Sequence, residues 1–353
     1  MAKFSLQNIV RQHILSLAPY SSARDEYTGK EGIFLDANEN PLGSVTPENW
    51  NRYPDPYQVD IKDKIAPIKG CRPTQIFLGN GSDEPIDLII RLTCEPKEDN
   101  IFILPPTYGM YEVSANVNNV EIQKIPLTTE YQLDTKKIIT SINSKTKLIF
   151  ICSPNNPTGN LIDRKAILEI IENFQQGIVI IDEAYNDFSD EPSFVPELDN
   201  FQNVMVLQTF SKAWGLASLR LGMAFGSEEL IKLLNKIKYP YNINGLTQRA
   251  LIENIYNIDF MHDSVKKLNQ NREKVIFELK KLPNVLKIFP SDANFLLVKF
   301  TEAKKLFEYL IEQKVIVRDR SKVILCDDSL RISIGTEEEN HVLINLLNQY
   351  KPL

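Results

Sequence analysis

Histidine is nearly absent from this chain of 353 residues: only His13, His262 and His341 occur, far apart in sequence. A Ser-His-Asp triad or a histidine-rich metal cluster is therefore not what the chain is built around. Cysteine is scarce as well. Cys71, Cys94, Cys152 and Cys326 have no C-x-x-C spacing, which signals neither a zinc site nor a disulfide framework and predicts reduced, mostly buried thiols. No stretch approaches the roughly 18 consecutive apolar residues of a membrane span. Ile9, Val10, Ile14 and Leu17 recur at helical spacing, but Arg11, Gln12 and His13 interrupt any signal-peptide core, so a cytoplasmic location is expected. Lys and Arg form no dense run and the formal net charge is -6, which argues against nucleic acid as a main partner.

What is present is an ordinary globular composition, 43% hydrophobic and 24% charged, enough to bury a large core and suited to one large domain plus a smaller one. Short unbroken apolar runs recur at 75–78, 101–104, 147–152, 178–181, 204–207 and 223–225, separated by helical stretches. Such runs suit strands buried on both faces and predict a mostly parallel α/β sheet. Val265, Leu268, Val275, Leu279 and Leu282 mark one face of a long amphipathic helix over 264–282. Beyond it, strands are expected at 294–298, 315–317 and 330–334, with helices near 302–313 and 337–350, forming a small α+β domain.

Residues 209–222 read TFSKAWGLASLRLG, with Lys212 between hydroxyl side chains and a downstream arginine. This pattern reads as an anchor for pyridoxal 5'-phosphate: Lys212 for the aldehyde, Thr209 and Ser211 for phosphate hydrogen bonds, Arg220 to neutralise the phosphate. Residues 78–86, LGNGSDEPI, run from a strand through glycines into a helix, so Gly81, Ser82 and Asp83 can form an anion seat at its N-terminus. Asp182 follows the apolar run at 178–181. A carboxylate there can hold the pyridine nitrogen of the cofactor protonated, or it can simply cap a helix.

The stretch SPNNPTG at 153–159, IIDEAY at 180–185 and the Lys212 segment, in that order, resemble the fold-type I, class I/II aminotransferases. The resemblance implies that Asn156 and Tyr185 hydrogen-bond the phenolic oxygen of the cofactor, although an Asn-Pro-Thr-Gly run is also plain turn chemistry. It implies that Tyr108, in PPTYG at 105–109, stacks on the pyridine ring. It also implies a large cofactor-binding domain over 35–255, with 1–34 and 256–353 forming the small domain and the N-terminal helix packing beside it.

Three N-terminal segments, 17–24 (LAPYSSAR), 35–43 (LDANENPLG) and 51–55 (NRYPD), are similar to the histidinol-phosphate branch of that family. This second resemblance implies amino transfer between L-histidinol phosphate and 2-oxoglutarate or glutamate, with Lys212 as general base and acid and Asp182 and Tyr185 as its catalytic companions. Arg331 and Arg318 would bind substrate anions, Tyr20 and Asn294 would touch substrate, and Tyr53 would reach the cofactor of a neighbouring subunit in a homodimer. An aromatic aminotransferase and a threonine-phosphate decarboxylase remain open on the same scaffold.

Overall fold

The computed structural model describes residues 4–20 and 31–350. Seven strands build the large sheet: β1 (Ile76–Asn80), β2 (Asn100–Ile103), β3 (Glu121–Lys124), β4 (Thr146–Cys152), β5 (Ile178–Asp182), β6 (Val204–Thr209) and β7 (Leu221–Phe225). Their spatial order is β1-β7-β6-β5-β4-β2-β3. Strand β7 runs antiparallel to both its neighbours, and the other pairs are parallel. Period-two alternation sends Ile149, Ile151, Val179, Ile181, Val204 and Val206 into one core. Leu148, Phe150, Ile178, Ile180, Met205 and Leu207 enter a second core on the opposite face. Covering both faces with helices is why these strands are written as unbroken apolar runs.

A smaller antiparallel sheet follows, with β8 (Val285–Ile288), β9 (Phe295–Phe300), β10 (Arg318–Asp319) and β11 (Ser329–Ser333) in the order β10-β11-β9-β8. Its Leu296, Val298, Leu330 and Ile332 pack against helices Ala303–Glu312 and Glu337–Gln349 in a third core. Phe295 and Leu297, on the other face, join the first core of the large sheet. The helix Ile258–Leu279 bridges the two units, placing Met261 in that first core and Val275 and Leu279 in the third.

Several expectations are corrected. The strand expected at 315–317 begins at Arg318, and the long helix starts at Ile258 rather than 264, leaving buried Leu282 beyond its end. Strands β3 and β8 lacked a clear apolar run because they are largely solvent-facing. The N-terminal helices Leu6–Ile9 and Gln12–Ser16 do not lie beside the small sheet. Leu6, Ile9, Val10 and Ile14 are buried in the second core of the large sheet. Arg11 fastens them there, donating to both carboxylate oxygens of Glu95 at 2.8 and 3.0 Å while its N–H reaches Leu92 O. Of the N-terminal motif at 17–24, Ser21 to Arg24 lie outside the described residues. Cys94, Cys152 and Cys326 are buried thiols and Cys71 is half-buried. Among the described residues no helix is long and apolar enough to cross a membrane.

Candidate active site

The loops leaving the carboxyl ends of β1, β2, β4, β5 and β6 converge, as ligand-binding loops do in open α/β sheets. Between them lies a cavity of about 190 Å³ lined by Gly81, Ser82, Asp83, Tyr108, Cys152, Asn156, Asp182, Ala184, Tyr185, Thr209, Ser211, Lys212 and Arg220. Segments separated by more than a hundred residues in sequence thus share one small space.

One group of residues is suited to an anion. Helix Asp83–Thr93 opens on Ser82 and aims its free N–H groups at the cavity rim. Gly81 sits at φ +69°, and a Cβ there would stand 2.5 Å from Arg220 Nη2, so only glycine lets the guanidinium approach the helix end. Arg220 itself adopts the left-handed region at φ 51°. Its Nη1 donates to Ser211 Oγ at 3.4 Å and its Nη2 lies 3.7 Å from Asp83 Oδ2. Gly222, in β7, packs so tightly that a Cβ would meet the backbone of Gly81 and Ser82 at 2.2 Å. Thr209 Oγ1 accepts the N–H of Ser211 at 3.1 Å, shaping the turn that presents Lys212.

A second group surrounds a buried carboxylate. Asp182 continues the Ile178 and Ile180 face of β5, only 3% exposed, and Tyr111 donates its hydroxyl to Asp182 Oδ2 at 2.5 Å. The N–H of Ala184 donates to Asp182 Oδ1 at 3.0 Å. Burial raises the Asp182 pKa above the ordinary carboxylate value, opposed by these two hydrogen bonds. The next residue, Glu183, turns to the opposite side, where Phe194 N–H and Gln208 Nε2 satisfy it.

Lys212 remains exposed along the cleft, with Nζ 5.5 Å from the centre of the Tyr185 ring. Crowding by protein atoms lowers its pKa first and the charge of Arg331 second, while Asp182 pulls the other way. The phenol of buried Tyr185 is pushed up by desolvation, and Arg331 opposes that shift. Tyr108 donates its hydroxyl to Asp83 Oδ1 at 3.0 Å and meets Tyr111 edge to face at 5.6 Å.

Arg331, half-buried in β11, reaches across from the small sheet and donates through Nη1 to Asn156 Oδ1 at 2.5 Å. Its guanidinium also lies over the Phe295 ring at 5.2 Å. Arg318 is paired directly opposite Arg331 and is exposed. None of Arg331, Arg318 and Asn294 lines the cavity itself: Arg331 touches it through Asn156, and the described backbone contact of Asn294 is its carbonyl, which accepts from Ile334 N–H. Tyr20 and Tyr53 line a different hollow of about 970 Å³, together with His13, Asp36, Lys238 and Tyr241. There Tyr53 stacks on Tyr241 at 4.5 Å.

Sequence reasoning missed Tyr111 and Cys152. The signal for Tyr111 was slight: a tyrosine in the short helix Met110–Val117, whose hydroxyl needs a partner if the ring is buried. The donor set as a whole suits an elongated group with a phosphate at one end and a basic ring nitrogen elsewhere. A lysine amine stands in the same cavity.

The class I and II aminotransferase family model matches residues 30–347 of the chain. The chain is 54% identical over 347 residues to a histidinol-phosphate aminotransferase of Cytophaga hutchinsonii, covering 98% of this chain and 99% of that protein. A histidinol-phosphate aminotransferase of Bacteroides fragilis is 50% identical over 348 residues, with 98% and 99% of the two chains covered. Among solved structures, the histidinol-phosphate aminotransferase of Clostridium acetobutylicum superposes with a TM-score of 0.79 at 25% identity, covering 85% of this chain and 90% of that one. That of Sinorhizobium meliloti in complex with pyridoxal-5'-phosphate has the same fold, with a TM-score of 0.78 at 20% identity and 89% of each chain covered.

Proposed function

Because the chain belongs to the class I and II aminotransferase family, we propose that it transfers an amino group reversibly between L-histidinol phosphate and 2-oxoglutarate, a step of histidine biosynthesis. The observation that carries the chemistry is the cavity in which Lys212, Asp182 and the Arg220 anion seat meet. Likeness to the Cytophaga and Bacteroides relatives over nearly the whole chain carries the choice of substrate.

The residues fit pyridoxal 5'-phosphate: Gly81 leaves room for Arg220 beside a helix N-terminus, and a carboxylate is buried in the same cavity. When bound, that cofactor supplies an electrophilic aldehyde and an electron-accepting ring. Gly81, Ser82, Asp83, Thr209, Ser211 and Arg220 would hold its phosphate, and Asp182 would keep a proton on the ring nitrogen. Tyr108 would cover the ring, while Asn156 and Tyr185 would serve its phenolic oxygen. Lys212 would be the covalent anchor and, once freed, would carry the proton from substrate Cα to the aldehyde-derived carbon of the cofactor, and back again in the reverse half-reaction. Its lowered pKa favours the neutral amine needed for proton removal.

Arg331 and Arg318 bind the substrate anions, the phosphate of one partner and the carboxylates of the other. Tyr20 and Asn294 contribute substrate contacts, and Tyr53 serves the cofactor phosphate of the partner subunit in a homodimer. Residues 35–255 form the large cofactor-binding domain in this reading and 256–353 the small domain, in a cytoplasmic enzyme. The test is an amino-donor screen on the holoenzyme, read from the absorbance of bound cofactor and from carbon dioxide release. Histidinol phosphate should convert the cofactor far better than histidinol, and 2-oxoglutarate should restore it. Efficient conversion by phenylalanine or tyrosine alone would favour an aromatic aminotransferase, and carbon dioxide from threonine phosphate would favour a decarboxylase.

A further inference from the structure

The inner face of the small sheet carries more positive charge than Arg331 and Arg318 account for. Arg331 pairs directly with Arg318 on one side and with Leu297 on the other. Just past the end of β10, Arg320 N–H donates to Ser329 O at 2.9 Å, extending the same ladder by one pair. Directly paired residues and residues two apart on a strand point to one face. Arg318, Arg320 and Arg331 therefore share the face of Phe295 and Leu297, which is turned toward the core of the large domain.

Like charges placed opposite one another on a ladder are destabilising. Here the intervening acid offsets them only in part: Asp319 alternates to the other face and accepts the N–H of Ser321 at 2.8 Å, and its pull on Arg320 is weaker than the push of the two arginines. The Nε atoms of both Arg320 and Arg331 are buried without a hydrogen-bond partner among the described residues. Among the described residues, Arg331 offers one N–H to the neutral amide oxygen of Asn156 and no other hydrogen bond. Burial and the two neighbouring arginines lower the Arg320 pKa, and the Tyr185 phenol feels its charge together with that of Arg331.

Three clustered cations with unused donors fit an anion of more than one charge. A phosphate monoester carries about -1.5 to -2 near neutral pH, whereas each carboxylate of a dicarboxylate carries one charge. Building on the amino-transfer reading above, we infer that Arg320 is a specificity-determining residue. With Arg318 and Arg331 it binds the phosphate of the phosphorylated amino donor and contributes much less to binding the alternating dicarboxylate.

The experiment uses Arg320→Gln and Arg320→Lys holoenzymes in single-turnover half-reactions, followed through the absorbance of bound cofactor. In Arg320→Gln the Kd for histidinol phosphate should rise about tenfold or more, equivalent to ~1.4 kcal/mol. The rate at saturation should stay within about twofold, the Kd for glutamate should change less than about threefold, and Arg320→Lys should recover part of the loss. Inorganic phosphate, used as a competitive inhibitor of the glutamate half-reaction, should weaken in parallel. Equal losses for both substrates, or an unchanged Kd for histidinol phosphate, would overturn the inference. The intact glutamate half-reaction reports that the variant is folded; if Arg320→Gln does not fold, Arg320→Lys with inorganic phosphate decides by the same criteria. A wild-type enzyme that does not turn over histidinol phosphate would remove the amino-transfer reading and this inference together. Normal wild-type turnover with an unaltered Arg320→Gln removes the inference alone.

Discussion

Asp182 places a carboxyl group where solvent cannot reach it, and the cost of ionising it in the cofactor-free protein is measurable. Its pKa in the folded chain is raised above the unfolded value of about 3.9. The folded state therefore binds the extra proton more tightly, so stability is greatest below the unfolded pKa and falls as pH rises through the folded one. Asp182→Asn removes that penalty while keeping an oxygen for Tyr111. We expect the cofactor-free variant to melt higher than wild type at pH 7, with the gain vanishing toward pH 3, and transamination to fall by orders of magnitude. A variant that melts no higher at pH 7, or that turns over normally, would contradict this. Tyr111 acts through Asp182 as a positioning residue. Tyr111→Phe keeps the ring on Phe150, centroids 4.7 Å apart, and removes one charge-assisted hydrogen bond worth about 1.5–3 kcal/mol. Weaker cofactor retention and a shifted pH dependence of the cofactor absorbance are expected, and an unchanged pH titration would reduce Tyr111 to a packing role. The Lys212 segment and the Asp182 strand end could be read because their chemistry is written in contiguous residues. Tyr111 and the Arg331–Asn156 contact could not, since each depends on a distance across the fold rather than along the chain.

At the scale of elements, the legible strands were β1, β2, β4, β5, β6 and β7, each a continuous apolar run buried on both faces, together with β9 and β11 of the small sheet. Strand β3 reads Glu-Ile-Gln-Lys with no fully buried residue, and β8 carries Lys287 in its middle, so neither produced that signal. The segment Val315 to Val317 has strand composition, yet pairing begins only at Arg318. Composition reports burial, whereas register is fixed by the partner strand. The contact between β7 and the loop after β1 makes a graded prediction. At Gly81 an added Cβ meets the end of a flexible arginine, but at Gly222 it meets backbone, which cannot swing aside. Gly81→Ala should fold with a loss of about 1–3 kcal/mol from its positive φ and a weakened hold on cofactor phosphate. Gly222→Ala should cost more, because β7 must separate from the loop. Thermal melts of the two cofactor-free variants test this ordering, and equal or reversed losses would refute it.

For the whole molecule, the proposed site is divided between two places in one chain. Lys212 and its companions line the small cavity, whereas Tyr53 and Tyr20 line the larger hollow and are 52% and 73% exposed. Exposed aromatic rings around a hollow of this size are what a symmetric partner would cover. A two-fold axis would then deliver the Tyr53 of each subunit to the other's cofactor. The consequence is genetic complementation between defective subunits. Tyr53→Ala retains the Lys212 anchor but cannot complete its neighbour's site; Lys212→Ala has no working site of its own but still offers Tyr53. When equal amounts are unfolded together and refolded, half the dimers should be hybrids, each with one complete and one doubly defective site. Activity should then recover to about a quarter of wild type, provided Tyr53→Ala alone is strongly impaired. Mixtures no more active than the mean of their parents, or full wild-type activity in a protein that sediments strictly as a monomer, would show that each chain works alone. Tyr53 would then have to act within its own hollow.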